Sequence, residues 1–176
     1  FISERFDRVG GEKRIHFASA MTLLGLQDGD NASCGYGYLD IVDFILRYSG
    51  DTEQNLRDLY RRVAFNICIG NSDDHFRNHG FLLTRKGWTL SPAYDMNPTL
   101  SFHQSLLINS TTSEANLGIL LEASDEYMLP REVARSIIDE VREALDDWQS
   151  LANRLGISQR EISFFEDRWD RGVELT

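Results

Sequence analysis

The chain has little cysteine and no long hydrophobic run. Two cysteines among 176 residues are too few for a disulfide framework, so we expect reduced thiols. No apolar stretch approaches the length of a membrane span, and no signal peptide or internal repeat is visible. Cys68 lies in an apolar run, where it is expected to act as a small core residue. These absences predict a cytoplasmic protein with no membrane segment.

Basic charge is also scarce. Eighteen lysines and arginines stand against 28 aspartates and glutamates, which gives a formal net charge of −10 at pH 7. Nucleic-acid phosphates would be repelled by such a chain, so we do not expect it to bind DNA or RNA directly. An acidic surface would instead suit a basic partner, although much of the acidity is expected to be solvated surface.

Hydrophobic periodicity predicts a mainly helical chain that forms one domain over residues 1–176. The expected helices cover residues 15–26, 38–48, 52–69, 114–123, 130–155 and 158–169. Ser158 and Glu161 have the spacing of a capping box at the start of the last helix. Two β-prone runs on either side of Arg85-Lys86-Gly87 predict a hairpin over residues 81–90. Further short strands are expected near residues 1–6 and 105–109.

The segment 71–80 carries the most chemistry, because it holds two carboxylates, two imidazoles and two carboxamides. It follows an apolar run that ends at Gly70, as if a buried helix presented functional groups on a loop. Asp73 and Asn78 are five residues apart and would lie roughly 140° apart on a helix. The two can therefore meet at one ligand only if the segment is an irregular loop, which its Asn, Asp and Ser content favours.

A third oxygen ligand follows the predicted hairpin. Because the hairpin reverses the chain, Asp95 in Ser91-Pro92-Ala93-Tyr94-Asp95 is expected to return to the loop that holds Asp73 and Asn78. A catalytic Asp, an Asn five residues later and an Asp beyond a hairpin form the pattern of protein kinases. Carboxylate and amide oxygens suit magnesium, so the pattern predicts metal-dependent phosphoryl transfer.

Each of these residues also has an ordinary structural interpretation. Asp and Asn after a helix-ending glycine commonly form turns by bonding their own backbone. Asp95 alone could cap a helix, and His75 and His79 could be ordinary loop histidines. A zinc site is not favoured, since neither cysteine lies at ligand spacing from the histidines.

Three stretches together resemble a known family. Residues 71–82, residues 91–95 and the opening Glu4-Arg5-Phe6-Asp7-Arg8 are similar to the C-terminal lobe of HipA-type serine/threonine kinases, which are bacterial toxin kinases. The resemblance runs from residue 1 to about residue 160. It implies a mainly α, protein-kinase-like C-terminal lobe, a helical bundle in which one short β-hairpin carries the metal-binding Asp95.

The resemblance also implies roles for individual residues. Asp73 would be the catalytic base, and Asn78 and Asp95 would bind Mg²⁺. His75 would contact the transferred phosphate of ATP or brace the loop. The implied nucleotide contacts are Glu4 and Phe6 at the hinge beside adenine, and Asp7 near the ribose.

Two features depart from a complete kinase. Asp95 is followed by Met96-Asn97 rather than Phe-Gly, so an activation-loop switch of the usual type is not expected. The chain starts at Phe1 on the presumed hinge, and its only lysines, Lys13 and Lys86, lie in polar loops. A complete kinase needs a phosphate-covering loop and a strand lysine. We therefore expect an excised lobe with little activity and weak nucleotide binding of its own.

The resemblance implies a helix-turn-helix antitoxin as partner, with DNA bound only through that partner, and a protein substrate that the sequence does not name. One alternative is a catalytically silent pseudokinase that binds the antitoxin. Another is a metal-dependent phosphohydrolase built on Asp73, Asp74, His75 and His79, for which imidazole ligands would favour zinc or manganese.

Overall fold

A computed structural model describes residues 4–10 and 13–175. Within these ranges the chain is mainly helical, with two small sheets. The strands are β1 (Arg8–Val9), β2 (Lys13–Arg14), β3 (Phe17–Ser19), β4 (Gly80–Thr84) and β5 (Gly87–Leu90). The helices are α1 (Ala20–Leu24), α2 (Tyr38–Tyr48), α3 (Thr52–Ile69), α4 (Leu117–Glu122), α5 (Arg131–Leu145), α6 (Trp148–Arg154) and α7 (Gln159–Gly172). Shorter 3-10 turns cover Ala32–Cys34, Phe76–Asn78 and Ala123–Tyr127.

Helix α3 lies at the centre of the fold and packs against α2, α4, α5, α7 and β5. Its inward face is fully buried at Leu59, Val63 and Ile67. Asn55 near its start accepts hydrogen bonds from the Leu90 amide (2.7 Å) and the Thr89 hydroxyl (3.1 Å). The helix therefore fixes the end of the hairpin from which the Asp95 segment departs.

The expected hairpin is confirmed, and a third strand extends it. Strands β4 and β5 pair in antiparallel fashion, with Phe81 opposite Leu90. Strand β3 adds to the outer edge of β4, with Phe17 opposite Leu82. The prediction of a helix over residues 15–26 is wrong in its first half, because backbone pairing with β4 overrides the helical period there. The helix begins only at Ala20, after the Ser19 cap, and ends at Gly25 in the left-handed region.

The prediction of one helix over residues 130–155 is also wrong. Helix α5 ends at Leu145, and α6 begins at Trp148. Aspartates interrupt the helix at 146 and 147, and aspartate favours helix ends over helix interiors. The change of direction lets Trp148 pack against Trp169 of α7, with ring centroids 4.4 Å apart.

Three smaller expectations have mixed outcomes. The helix expected over residues 114–123 is shorter, since Asn116 caps α4 and a 3-10 turn follows Glu122. Near residues 105–109 the structure has only an isolated bridge between Gly37 and Leu107. Of the strand expected near residues 1–6, residues 1–3 lie outside the described range and residues 4–6 form no strand. No helix among the described residues is long and apolar enough to cross a membrane.

Candidate functional site

The loop that follows α3 is irregular, as the spacing of Asp73 and Asn78 requires. Gly70 ends α3 with φ of 72°, in the left-handed region that glycine adopts without strain. A single 3-10 turn over Phe76–Asn78 follows, and strand β4 begins at Gly80. The loop is held from outside, because the Ser72 carbonyl accepts hydrogen bonds from the Ser105 amide (3.0 Å) and hydroxyl (2.7 Å).

The structure joins Asp73 and Asn78 directly. The Asn78 side-chain amide donates from Nδ2 to the backbone carbonyl of Asp73 at 3.1 Å. This bond fixes the amide plane, so Oδ1, the atom a cation would use, lies at the opposite end of the group. Asn78 is buried, whereas Asp73 is exposed.

Asp95 is joined to the same loop through its neighbour. The Tyr94 hydroxyl donates to the Arg77 carbonyl at 2.6 Å, so the residues before Asp95 and before Asn78 are linked. Asp95 itself has φ of 57°, and it accepts a hydrogen bond from Asn97 at 2.8 Å. Such backbone strain in a non-glycine residue is concentrated at functional sites. The convergence of the Asp73, Asn78 and Asp95 oxygens on one point stays a prediction.

His75 lies at the start of the 3-10 turn, half-buried beside Asp28 and Arg77. Its Nδ1 is buried and has no hydrogen-bond partner among the described residues. Arg77 forms an ion pair with Asp28, and this hydrogen bond and charge lower the pKa of Asp28. The loop is thus tied to residue 28 through Arg77.

Of the residues expected at the hinge, Phe6 reaches the Asp95 segment through an aromatic contact. Phe6 stacks on Tyr94 with centroids 5.9 Å apart and packs against Phe17 at 5.8 Å. Asp7 accepts two hydrogen bonds from Arg5, which lower the pKa of Asp7. Glu4 is exposed. Phe6 therefore lies next to the Asp95 segment, while Asp7 would have to exchange Arg5 for a ligand.

A buried polar cluster that the sequence reasoning missed lies beneath the loop. Asp74 Oδ2 accepts hydrogen bonds from the Tyr38 hydroxyl (2.7 Å), Asn66 Nδ2 (2.5 Å) and His79 Nε2 (2.9 Å). The nitrogen of His79 must carry the proton, since a carboxylate only accepts. The signal was available in the sequence, because Asp74 and His79 repeat the five-residue spacing of Asp73 and Asn78 one position later.

The electrostatics of this cluster keep Asp74 ionised. Burial alone would raise the pKa of Asp74, but the charge and hydrogen bond of His79, the Tyr38 hydroxyl and the charge of Arg62 outweigh burial and lower it. Burial, followed by the charge of Asp74, raises the pKa of Tyr38 well above its usual value, so its hydroxyl stays a donor.

The metal ligands of the phosphohydrolase hypothesis are not brought together. Asp74 and His79 bond to each other inside the fold, while Asp73 is exposed on the other side of the loop. Within residues 4–10 and 13–175 no group of three or more His, Cys, Asp or Glu side chains is arranged to hold a metal ion. The oxygen set of Asn78 and Asp95 suits the hard cation Mg²⁺ better than zinc.

The fold and this loop define a kinase-like C-terminal region, and comparisons with known proteins agree. The family model described as "HipA-like C-terminal domain" matches residues 1–149. The chain belongs to the HipA-like C-terminal domain family. The HipA chain of a Shewanella oneidensis MR-1 structure, solved with HipB and operator DNA, matches 97% of this chain with a TM-score of 0.73 at 19% identity. At that identity the match concerns the fold.

Two curated proteins are also similar in sequence. A Haemophilus influenzae protein named "Putative kinase" is 28% identical over 101 residues, which is 54% of this chain. "Putative kinase Y4mE" of Sinorhizobium fredii is 24% identical over 183 residues, covering 94% of this chain. The chain spans 29% and 44% of the lengths of these relatives and 46% of the Shewanella HipA chain.

Proposed function

We propose that the chain is the catalytic lobe of an ATP- and magnesium-dependent serine/threonine protein kinase of a toxin–antitoxin system. The observation that carries the proposal is the Tyr94–Arg77 hydrogen bond of 2.6 Å. It links the residue before Asp95 to the residue before Asn78, and Asn78 in turn bonds to Asp73. The two chain segments that a kinase needs are thereby held side by side.

In this proposal Asp73 accepts the proton of a serine or threonine hydroxyl as that oxygen attacks the γ-phosphorus of ATP. The bond between the γ-phosphorus and the bridging oxygen breaks, and ADP leaves. Asn78 and Asp95 would hold magnesium, which when bound neutralises charge on the phosphates. The exposure of Asp73 and the oxygen-only donor set support these roles.

The nucleotide would lie between the loop and the hinge. His75 would contact the transferred phosphate or brace the loop, and its Nδ1 has no hydrogen-bond partner among the described residues. The contact of Phe6 with Tyr94 supports a hinge position beside the Asp95 segment for Glu4 and Phe6. Asp7 would contact the ribose after releasing Arg5. Dependence on ATP and free thiols fits a cytoplasmic protein.

We infer the partners of this protein from a structural relative. The Shewanella HipA was solved with HipB and operator DNA, which supports a helix-turn-helix antitoxin as the partner of this protein. The net charge of −10 suits an arrangement in which DNA is contacted by the antitoxin rather than by this lobe. The phosphorylated substrate would be a protein.

Substitution of the base tests the proposal in the complete protein that contains this chain. Asp73→Ala should lower kcat by about 10²–10⁴-fold, the usual contribution of a general base. It should leave the fold intact because the side chain is exposed. Phosphate transfer from labelled ATP and thermal unfolding are the two measurements. Asp43→Ala, an exposed aspartate on α2, is the matched control. Wild-type turnover by Asp73→Ala would refute the assignment.

A nucleotide titration separates the kinase from the silent pseudokinase. The kinase hypothesis expects nucleotide affinity that rises with Mg²⁺ and that falls when Asp95→Ala removes a predicted ligand. A silent module would bind its antitoxin equally well while its nucleotide affinity showed no metal dependence. Calorimetric titration of the complete protein, with and without Mg²⁺, measures the difference.

A further inference from the structure

We infer that the buried cluster of Tyr38, Asn66, Asp74 and His79, together with Arg62, is a positioning network that sets the two halves of the metal site against each other. This inference rests on the proposed kinase function, because it assigns residues that orient Asp73, Asn78 and Asp95. The network side chains are all buried. Their effect would pass through the residues next to them.

Two hydrogen bonds span the loop, each joining residues five positions apart. The hydrogen bond between Asp74 and His79 spans residues 74–79, and the bond between Asn78 and the Asp73 carbonyl spans residues 73–78. Asp74 and His79 are thus the direct sequence neighbours of Asp73 and Asn78. Because Asp74 and His79 are buried and point inward, the peptide units that precede and follow them hold their neighbours in place.

Helix α2, helix α3 and the end of the loop all meet at one atom, Asp74 Oδ2. Asp74 Oδ2 accepts from Tyr38 at the start of α2, from Asn66 in the last turns of α3, and from His79 at the end of the loop. Asn66 also accepts a hydrogen bond from Asn71 Nδ2 at 3.1 Å. A carboxylate with three donors makes short, charge-assisted hydrogen bonds and tolerates little displacement. These hydrogen bonds therefore hold the loop in a fixed position relative to both helices.

Arg62 links this loop to the segment that carries Asp95. Arg62 lies one helical turn before Asn66 on α3 and is more than nine-tenths buried. Its Nη2 donates to the Ser91 carbonyl at 2.6 Å, at the start of the segment that leads to Asp95. The charge of Arg62 also helps to lower the pKa of Asp74. Helix α3 thus holds both halves of the proposed metal site through two neighbouring side chains.

Two tyrosines provide a matched test. Tyr38 and Tyr60 are both fully buried, and each hydroxyl donates one hydrogen bond. Tyr38 donates to Asp74, whereas Tyr60 donates to the Leu120 carbonyl, away from the loop. Tyr38→Phe and Tyr60→Phe therefore remove the same group. Only Tyr38→Phe disturbs the network.

In the complete protein we expect Tyr38→Phe to lower both kcat and the affinity for the Mg²⁺–ATP complex by about tenfold, as outer-shell partners of metal sites do. The KM for the protein substrate should stay the same, since the network side chains are buried. Tyr60→Phe should leave all three quantities unchanged. Steady-state kinetics, calorimetric titration with Mg²⁺ and a non-hydrolysable ATP analogue, and thermal unfolding supply the readouts.

Three outcomes decide the inference. A loss confined to Tyr38→Phe at equal stability supports it, and Asp74→Asn, which keeps an acceptor but removes the charge, should then lose more than tenfold. Equal behaviour of the two tyrosine variants in an active enzyme would show a purely structural cluster and overturn the inference, while the proposed function would stand. An inactive wild-type protein with no metal-dependent nucleotide affinity would overturn both.

Discussion

The buried arginines Arg62 and Arg168 donate to backbone carbonyls rather than to carboxylates, and each keeps a buried Nη1 with no hydrogen-bond partner among the described residues. Arg62 donates to the Ser91 carbonyl, and Arg168 donates to the Ser101 carbonyl (2.9 Å) and the Ile67 carbonyl (3.1 Å). Burial lowers the pKa of both guanidinium groups, yet arginine titrates so high that both stay charged. Arg62 therefore ties the Ser91 segment to α3, while Arg168 ties both α7 and the Ser101 segment to the end of α3.

The two cysteines should differ sharply in reactivity. Burial raises the pKa of the Cys68 thiol to about 12, and the side chain is only 1% exposed. A thiol must be deprotonated and accessible to react, so Cys68 should be inert in the native state. Cys34 is exposed. At pH 8 we expect one thiol per native chain to react with a chromogenic disulfide reagent, and two after denaturation.

Cys34→Ser is the control for this titration, because the native variant should then show no fast-reacting thiol. Two fast thiols in the native wild type would contradict the core position of Cys68. The sequence already predicted that position, since Cys68 lies in an apolar helical run.

At the same scale, the sequence predicted the irregular form of the loop but not the contacts of its inner side. Spacing alone indicated that Asp73 and Asn78 share an irregular loop, and the structure joins them. It could not show that Asp74 turns inward, because that depends on Tyr38, which lies 36 residues away in the chain. Partners at such a separation are set by tertiary packing and leave no local periodic signal.

Among the elements, α7 depends on contacts at both of its ends. The expected capping box is present, with the Ser158 hydroxyl accepting from the Glu161 amide and the Glu161 carboxylate accepting from the Ser158 amide. At the other end, Gly172 lies against the Cys68 carbonyl, where α3 makes its last turn. Arg168 closes the same interface through the Ile67 carbonyl. Helix α7 thus supports the end of α3 from which the functional loop starts.

Gly172→Ala should weaken this interface. An added Cβ would overlap the Cys68 carbonyl and crowd Arg168, so α7 would have to move away. We expect a loss of about 1–3 kcal/mol of unfolding free energy, the usual cost of overpacking. Because alanine is the better helix former by about 1 kcal/mol, the net loss would fall in the lower part of that range. Denaturant unfolding measures it.

The matched control for Gly172→Ala is Ser163→Ala at an exposed position of the same helix. This control should change stability by less than about 0.5 kcal/mol. If Gly172→Ala were as stable as the wild type, the close approach of α7 to α3 would be wrong.

The errors in element prediction share one physical cause. Residues 17–19 have a helical hydrophobic pattern, but the open edge of β4 offers backbone partners that only an extended chain can use. Residues 146–147 lie inside a continuous apolar period, but the chain turns there so that Trp148 can meet Trp169. At residues 17–19 the distant contact outweighs a local helix propensity of less than about 1 kcal/mol per residue, whereas at residues 146–147 it acts together with the preference of aspartate for helix ends. Long elements with strong periodicity, such as α2 and α3, were predicted correctly.

The acidic charge of the whole molecule bears on how the protein can be linked to DNA. The formal net charge is −10, and the structural relative that carries this fold was solved with HipB and operator DNA. In a DNA-linked complex, an acidic lobe would leave most of the cations that neutralise phosphates to other parts of the assembly. The charge of the molecule therefore bears on how it assembles, while its fold is set by the core around α3.

The chain by itself should not bind duplex DNA. Non-specific DNA binding has dissociation constants of about 10⁻⁴–10⁻⁶ M at physiological salt, and it arises from lysine and arginine contacts to phosphates. With ten more acidic than basic side chains, this protein should show no binding in that range. Fluorescence anisotropy of a labelled duplex at two salt concentrations measures it, with a basic DNA-binding domain as the positive control. Affinity that falls as salt rises would reveal a cationic surface on this lobe and would contradict the proposal that DNA is contacted through the antitoxin.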